Sequence, residues 1–174
     1  MIIDCNKLKE FVLQKSCKIV MALDWGQVYT GIAITDDTMK IIVPCKPIKM
    51  VEIKNKINFW AKLIKDYSAI AIIIGIPKHK EDIPNKTAKK IELFVKELDM
   101  ELINFGFMGN KEIPIAFIDE SNTSKQAEEF QHDIDNRGGY QKRKQKRENL
   151  NSLSATLILR KFLDNYLDNY LYIN

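Results

Sequence analysis

Residues 19–36 read IVMALDWGQVYTGIAITD and are the most informative stretch of the chain. An apolar run ends at Asp24, glycines follow at Gly26 and Gly31, and an alternating stretch then leads to Asp36. The pattern predicts a buried strand, a tight turn and an antiparallel strand. Because a carboxylate at the end of a buried strand is costly to desolvate, we expect Asp24 to serve a metal, a phosphate or another partner. Capping of a neighbouring turn is the structural alternative.

Apolar runs and helical periodicities alternate along the rest of the chain. After a third strand at residues 39–43, the predicted elements are strands at 69–74 and 113–118 and helices at 53–67, 88–98, 123–132 and from 150 onward. Strands separated by helices are expected to pair in parallel. The sequence therefore predicts an α/β fold with one mixed five-stranded sheet and helices on both faces, in a single domain over residues 1–174.

The composition is that of an ordinary globular domain with a formal net charge of +4. The three cysteines form no CxxC pair, which favours a reducing, cytoplasmic environment. We expect no membrane segment, because no apolar run reaches the ~18 residues that a span requires. Residues 1–16 are expected to form a short helical extension that packs on the domain, and no function is assigned to the tail at 165–174.

The acidic pair Asp119-Glu120 follows the predicted fifth strand. The carboxyl ends of parallel strands share one edge of a sheet, so this pair is expected near Asp24. Since side chains alternate along a strand, only one of the two acids can readily face Asp24. Carboxylates that converge at such an edge are typical ligands of Mg²⁺ and can support phosphodiester cleavage.

A basic cluster lies in a polar, glycine-bearing segment at residues 134–147, which we interpret as a mobile loop. Its members are Arg137, Lys142, Arg143, Lys144, Lys146 and Arg147. Such a loop gains affinity for a phosphate backbone by releasing counterions, so we expect nucleic-acid contact here. A solvated surface segment is the alternative.

Four ordered segments resemble the YqgF family, Holliday-junction-resolvase-like proteins also described as pre-16S rRNA nucleases. They are LDWGQVYTGIAITD at 23–36, IIGIP at 73–77, IDESNTS at 118–124 and LNSLSATLIL at 150–159. The resemblance covers about residues 17–164. It implies a ribonuclease-H-like fold, metal-dependent phosphodiester hydrolysis and a cytoplasmic role in maturing the 5′ end of 16S rRNA. The resemblance also carries an older proposal, resolution of branched DNA junctions.

The resemblance also implies the site residues. Asp24 matches the first-strand aspartate of the family, and Asp119 with Glu120 match the start of its Asp-Glu-Arg motif. The third acid of the family corresponds to Asn151, whose amide can bind a cation but brings no charge. The implied ligands of Mg²⁺ or Mn²⁺ are therefore Asp24, Glu120 and Asn151, with Asp119 in support. Glu148, one helical turn earlier, is an alternative third acid.

Three hypotheses stay open at this stage. The first is an active nuclease, with precursor rRNA or branched DNA as substrate and the ribosome as an additional partner. The second is a nucleic-acid-binding protein of the same fold that is catalytically weakened or inactive, motivated by Asn151. The third is one half of a sugar-kinase or actin-like ATP-binding protein, against which the chain length argues. The sequence does not decide between a monomer and a homodimer.

Overall fold

In the part of the chain that the structure describes, a mixed sheet of six strands forms the centre. The computed structural model describes residues 1–53, 58–77, 86–105, 113–119 and 140–167, with side chains in the last range from 150 to 165. The strands are β1 (Ile2–Ile3), β2 (Val20–Asp24), β3 (Tyr29–Thr35), β4 (Ile42–Lys49), β5 (Ala71–Ile76) and β6 (Ile115–Asp119). Their order is β1-β6-β5-β2-β3-β4, with β3 antiparallel to both its neighbours and the other pairs parallel.

Helices cover both faces of this sheet. They are α1 (Cys5–Leu13), α2 (Met50–Ile53), α3 (Phe59–Asp66), α4 (Lys86–Asn104) and α5 (Tyr140–Phe162), with a π-helical turn at Leu163–Leu167. The core on one face contains residues of α1 and α5, and the core on the other contains residues of α2, α3 and α4. Within the described ranges, no helix is both long and apolar enough to cross a membrane.

Strand β2 is buried on both sides, which explains its uninterrupted apolar sequence. Val20 and Ala22 belong to the core under α1 and α5, whereas Met21 and Leu23 belong to the core under α3 and α4. The sheet face toward α5 is rich in alanine, and its alanines are Ala22, Ala33, Ala71 and Ala116. Small side chains allow a helix to lie close to the strands, so α5 can approach the sheet backbone.

Local hydrogen bonds hold the antiparallel meander in register. The hydroxyl of Thr35 accepts from the backbone N–H of Val20 at 2.9 Å and donates to the carbonyl of Lys18 at 3.2 Å. The carboxylate of Asp36 accepts from the N–H groups of Lys40 and Ile41, each at 2.9 Å. Asp36 therefore caps its own turn, the role that is the structural alternative for Asp24.

The structure confirms part of the predicted fold and corrects the rest. The predicted meander, the parallel strands and helices on both faces are present. The third strand of the meander covers Ile42–Lys49 rather than the predicted 39–43, and the count of five strands is wrong. The sixth strand is β1, which pairs with β6 and precedes the expected N-terminal helix. Two residues carry too little periodicity to be recognised, so only the pairing reveals this strand. The helix predicted over 53–67 is instead two helices, α2 and α3.

The mobile loop predicted over 134–147 is wrong from Tyr140 onward, because α5 begins there. Lysine, arginine, glutamine and glutamate are good helix formers, and the polar composition conceals that propensity. Residues 134–139, the helix predicted at 123–132 and the tail from 168 onward lie outside the described residues.

Replacement of Gly31 should destabilise the fold. A Cβ atom at Gly31 would lie 1.9 Å from the carbonyl oxygen and 2.4 Å from the carbonyl carbon of Asn151 in α5. We expect Gly31→Ala to lower the free energy of unfolding by at least about 2 kcal/mol, because the helix must move away from the sheet. Urea unfolding measures this change, with Lys46→Ala at an exposed position of β4 as the control. Equal stability of the two variants would contradict the close approach.

Candidate functional site

Asp24 is the last residue of the central strand β2 and faces helix α5. It lies opposite Gly31 in the antiparallel ladder with β3. The hydroxyl of Ser154, a residue of α5, donates a hydrogen bond to the Asp24 carboxylate. Burial raises the pKa of Asp24 from an ordinary value of 3.8 to about 6, and the bond from Ser154 offsets only part of that increase. The charged carboxylate is thus poorly compensated where it stands.

Helix α5 passes directly over this strand end. Its backbone at Asn151 fills the space where a side chain at position 31 would lie. Paired residues on antiparallel strands have Cα atoms about 5 Å apart. Since Gly31 is the ladder partner of Asp24, Asn151 lies in the immediate neighbourhood of Asp24. The structure therefore brings together two of the predicted site residues.

A second polar contact holds α5 on the sheet near the same place. The hydroxyl of Ser152, which is buried, donates to the carbonyl of Cys45 in β4 at 2.7 Å. The helix is thereby tied to β4 one residue after its contact with Gly31. These contacts make the position of Asn151 relative to β2 a property of the packed fold rather than of a loop.

Asp119 ends strand β6, two strands away from β2. Ladder pairs join Leu23 to Ile74 and Ile76 to Asp119, so Asp119 lies at the same edge of the sheet as Asp24. Two interstrand spacings separate the strands by roughly 10 Å. Lys161 of α5 donates to the Asp119 carbonyl at 2.6 Å, and its Nζ is 3.9 Å from Asp119 Oδ2.

The alternation of side chains along β6 bears on which acid can face Asp24. Phe117 packs against the core of α3 and α4, whereas Ile118 belongs to the core under α5. By that alternation only one of the two consecutive acids can readily face Asp24, and the family resemblance implies that it is the residue after Asp119. That residue is Glu120, which lies outside the described residues, so its role stays a prediction.

The basic cluster belongs largely to α5. Lys142, Arg143, Lys144, Lys146 and Arg147 are in the helix, whereas Arg137 lies outside the described residues. At 1.5 Å per residue, Arg147, the member of the cluster nearest to Asn151, lies roughly 6 Å from it along the helix axis. The basic cluster is therefore continuous with the helix that covers Asp24. Glu148 shares the helix, and its side chain is not among those described.

Sequence reasoning missed two polar partners of the candidate acids, Ser154 and Lys161. Both follow Asn151 at helical spacings, three and ten residues on, which places all three on one stripe of α5. This helical spacing could therefore have indicated Ser154 and Lys161 from the sequence. Their partners, Asp24 and Asp119, are far away in the chain, and only the tertiary structure pairs them.

The opposite face of the same edge is aromatic. Trp25 packs on Phe94 with ring centroids 5.9 Å apart, and Phe94 packs edge-on against Trp60 at 5.4 Å. The buried Trp25 Nε1 has no hydrogen-bond partner among the described residues. A cavity of about 500 Å³ borders this cluster, and its lining includes Gln27, Glu97 and Glu101. At the end of β2, Asp24 thus lies on the polar face of the sheet and Trp25 on the apolar face.

Known proteins resemble this chain over most of its length. A family model described as "RuvX: Holliday junction resolvase" matches residues 18–165. A protein of Dictyoglomus turgidum named "Putative pre-16S rRNA nuclease" is 34% identical over 151 residues, which is 84% of this chain and 94% of that protein. A protein of the same name from a Roseiflexus species is 32% identical, with coverage of 84% and 94%.

A solved structure has a similar fold. It is the fowlpox virus resolvase in complex with Holliday junction DNA, with a TM-score of 0.51 and 18% identity, over 86% of this chain and 99% of that one. At that identity the likeness concerns the fold alone. The predicted ribonuclease-H-like α/β fold is thereby confirmed.

Replacement of Asp24 by asparagine should make the protein more stable at neutral pH. The folded state holds the Asp24 proton up to about pH 6, whereas the unfolded chain releases it near 3.8. Between these values the folded state binds more protons, so the stability of wild type falls as pH rises through this window and then levels off. Above pH 7 we expect the free energy of unfolding of Asp24→Asn to exceed that of wild type by up to about 3 kcal/mol.

Urea unfolding of wild type and Asp24→Asn between pH 4.5 and 8 measures this difference, with exposed Asp37→Asn as the matched control. The stabilities of Asp24→Asn and wild type should converge toward low pH. An Asp24→Asn variant that is less stable than wild type at pH 8 would contradict the desolvation of this carboxylate.

Proposed function

The chain belongs to the RuvX family of Holliday junction resolvases, and on that premise we propose that it is a metal-dependent nuclease. It hydrolyses phosphodiester bonds, and its proposed natural substrate is precursor 16S rRNA near the 5′ end, in the cytoplasm and in association with the ribosome. The names of the relatives at 34% and 32% identity support this substrate. Branched DNA is the second candidate substrate, supported by the description of the family.

The single observation that carries the proposal is the environment of Asp24. A carboxylate at the end of the central strand lies half-buried beneath α5, and desolvation raises its pKa to about 6. A fold gains nothing in stability from such a group, so its presence is best explained by a positively charged ligand that binds there. An ordinary cap, like that of Asp36, accepts several backbone N–H groups instead.

The donor set suits a hard divalent cation. Asp24 supplies carboxylate oxygens, Asn151 supplies an amide oxygen nearby, and Glu120 is proposed as the second acid, which fits Mg²⁺ or Mn²⁺. Within the described ranges, no group of three or more histidines, cysteines, aspartates and glutamates could hold a metal. Asn151 is not one of these residue types, and Glu120 is not among those residues. When bound, such a cation would lower the pKa of a coordinated water and stabilise charge on the phosphate.

The residues of the chain have separate proposed roles around this site. Asp24 supplies the negative charge that attracts the cation, and Ser154 fixes the orientation of its carboxylate through a hydrogen bond. Asp119 supports the strand end that precedes Glu120. The basic cluster in α5, together with Arg137, holds the phosphate backbone beside the scissile bond, since each neutralised phosphate contributes to affinity.

A second candidate is a nucleic-acid-binding protein of the same fold without catalysis. The observation that favours it is Asn151, which brings an amide to the helix position beside Gly31 where the family places an acid. One negative charge fewer weakens the attraction for a divalent cation. The two candidates differ in what happens when that charge is restored.

Cleavage assays separate the two candidates. We expect wild type with Mn²⁺ or Mg²⁺ to cleave labelled precursor rRNA. The cleavage rate of Asp24→Asn should be lower by about a hundredfold or more, because the attraction for the cation disappears. Asn151→Asp should bind Mn²⁺ more tightly and cleave at least as fast. Asp37→Asn is the matched control, since it removes an exposed carboxylate from the β3–β4 turn.

If wild type is inert and Asn151→Asp cleaves, the second candidate is correct, and the protein binds nucleic acid without cleaving it. A four-way DNA junction assayed in parallel identifies the preferred substrate. Equal cleavage by Asp24→Asn and wild type would overturn the nuclease proposal.

The salt dependence of RNA binding tests the basic cluster. Glutamine at Lys142, Arg143, Lys144, Lys146 and Arg147 should lower the slope of log K against log [salt] by roughly 0.7 to 0.9 for each phosphate that the protein no longer neutralises. The control replaces three exposed lysines of α4, on the opposite face of the sheet, which are Lys89, Lys90 and Lys96. Fluorescence anisotropy between 50 and 300 mM salt, roughly the range over which such binding weakens, gives the slopes. Equal slopes for the two variants would assign binding elsewhere.

A further inference from the structure

Helix α5 contacts both candidate strand ends. At one end its backbone at Asn151 lies against Gly31, and Ser154 binds Asp24. At the other end Lys161 binds Asp119. From Asn151 to Lys161 the helix rises about 15 Å. The three interstrand spacings from β3 to β6 amount to about 14 Å, so the helix spans that distance with a contact at each end.

The contact of Lys161 differs from an ordinary surface ion pair. It joins residues 42 apart in the chain, and the side chains of Lys161 and Asp119 are only 32% and 24% exposed. The pairs of Lys7 with Asp4 and of Lys49 with Glu52 join neighbours three residues apart and are more exposed. Moreover, Lys161 makes its short contact, 2.6 Å, with a backbone carbonyl. A charge-assisted bond to the backbone constrains the strand itself rather than a rotatable side chain.

We propose that Lys161 is a positioning residue whose ammonium group holds the carboxyl end of β6 against α5. Asp119 is the last residue of that strand, and Glu120 follows it directly. The bond to the Asp119 carbonyl therefore constrains the position of the residue that directly precedes Glu120. The same helix contacts Asp24 through Ser154, so both acids depend on α5 for their placement. This inference rests on the proposed function, because Glu120 matters only as a ligand of the site.

Lysine suits this task because its amine reaches the strand end while its stem covers apolar surface. Lys161 also places one positive charge at the site, 3.9 Å from the Asp119 carboxylate. That charge offsets Asp119, so Asp119 is better suited to support than to direct coordination. The arrangement explains why the acid after Asp119, rather than Asp119 itself, would act with Asp24.

Hydrogen exchange tests the positioning directly, without cleavage. In Lys161→Met, exchange in peptides that cover 115–119 should rise about tenfold, because a charge-assisted bond at the end of the ladder is removed. Lys161→Arg should retain most of the protection. Arg160→Met removes an exposed charge from the adjacent position and should leave exchange as in wild type. Equal exchange in Lys161→Met and Arg160→Met would overturn the proposal.

Cleavage of precursor rRNA with saturating Mn²⁺ tests the consequence. We expect kcat of Lys161→Met to be lower than that of wild type by about tenfold or more, with an unchanged KM. A small displacement of a catalytic group lowers the rate rather than the binding of substrate. Recovery in Lys161→Arg is expected as well. Increased exchange without a change in turnover would overturn the link to Glu120. If wild type does not cleave, the nuclease proposal fails, and the exchange comparison alone decides whether Lys161 holds β6.

Discussion

The close approach of α5 to β3 sets the geometry of the candidate site. Only a glycine at position 31 leaves room for the helix backbone at Asn151. The alanines on the same sheet face and the bond from Ser152 to Cys45 keep the helix at that distance. Because Asp24 is the ladder partner of Gly31, this packing determines both where the candidate site lies and how far α5 covers the Asp24 carboxylate.

The same packing imposes an electrostatic cost. Burial raises the pKa of Asp24, and Ser154 compensates the charge only in part. Proteins commonly keep such unfavourable groups where a bound ligand offsets the cost, and the result is a compromise between stability and activity. Lys161 makes the opposite contribution at the other end of the helix, where it supplies a positive charge to Asp119. A single helix thus contacts two acids at the same edge of the sheet, Asp24 with only partial compensation of its charge and Asp119 with a positive charge beside it.

Sequence reasoning predicts the scaffold better than the polar contacts. The meander, the parallel strands and the position of Asp24 follow from apolar runs and turn residues, which act over short distances. Strand β1 escapes prediction because a two-residue strand has no period, and its pairing partner lies more than a hundred residues away. The basic segment is polar like a loop, although its residue types have a high helix propensity, so its composition favoured the wrong prediction.

Strands β2 to β6 and the presence of helices between β4, β5 and β6 could be read from the sequence, as could the positions of Asp24 and Asp119 at strand ends, since hydrophobic periodicity and turn residues are local properties. Tertiary packing alone brings Ser154 to Asp24, the backbone of Asn151 to Gly31 and Lys161 to Asp119. Those contacts join residues far apart in the chain. Their existence depends on the angle and distance at which one helix crosses a twisted sheet, and no local pattern encodes that geometry.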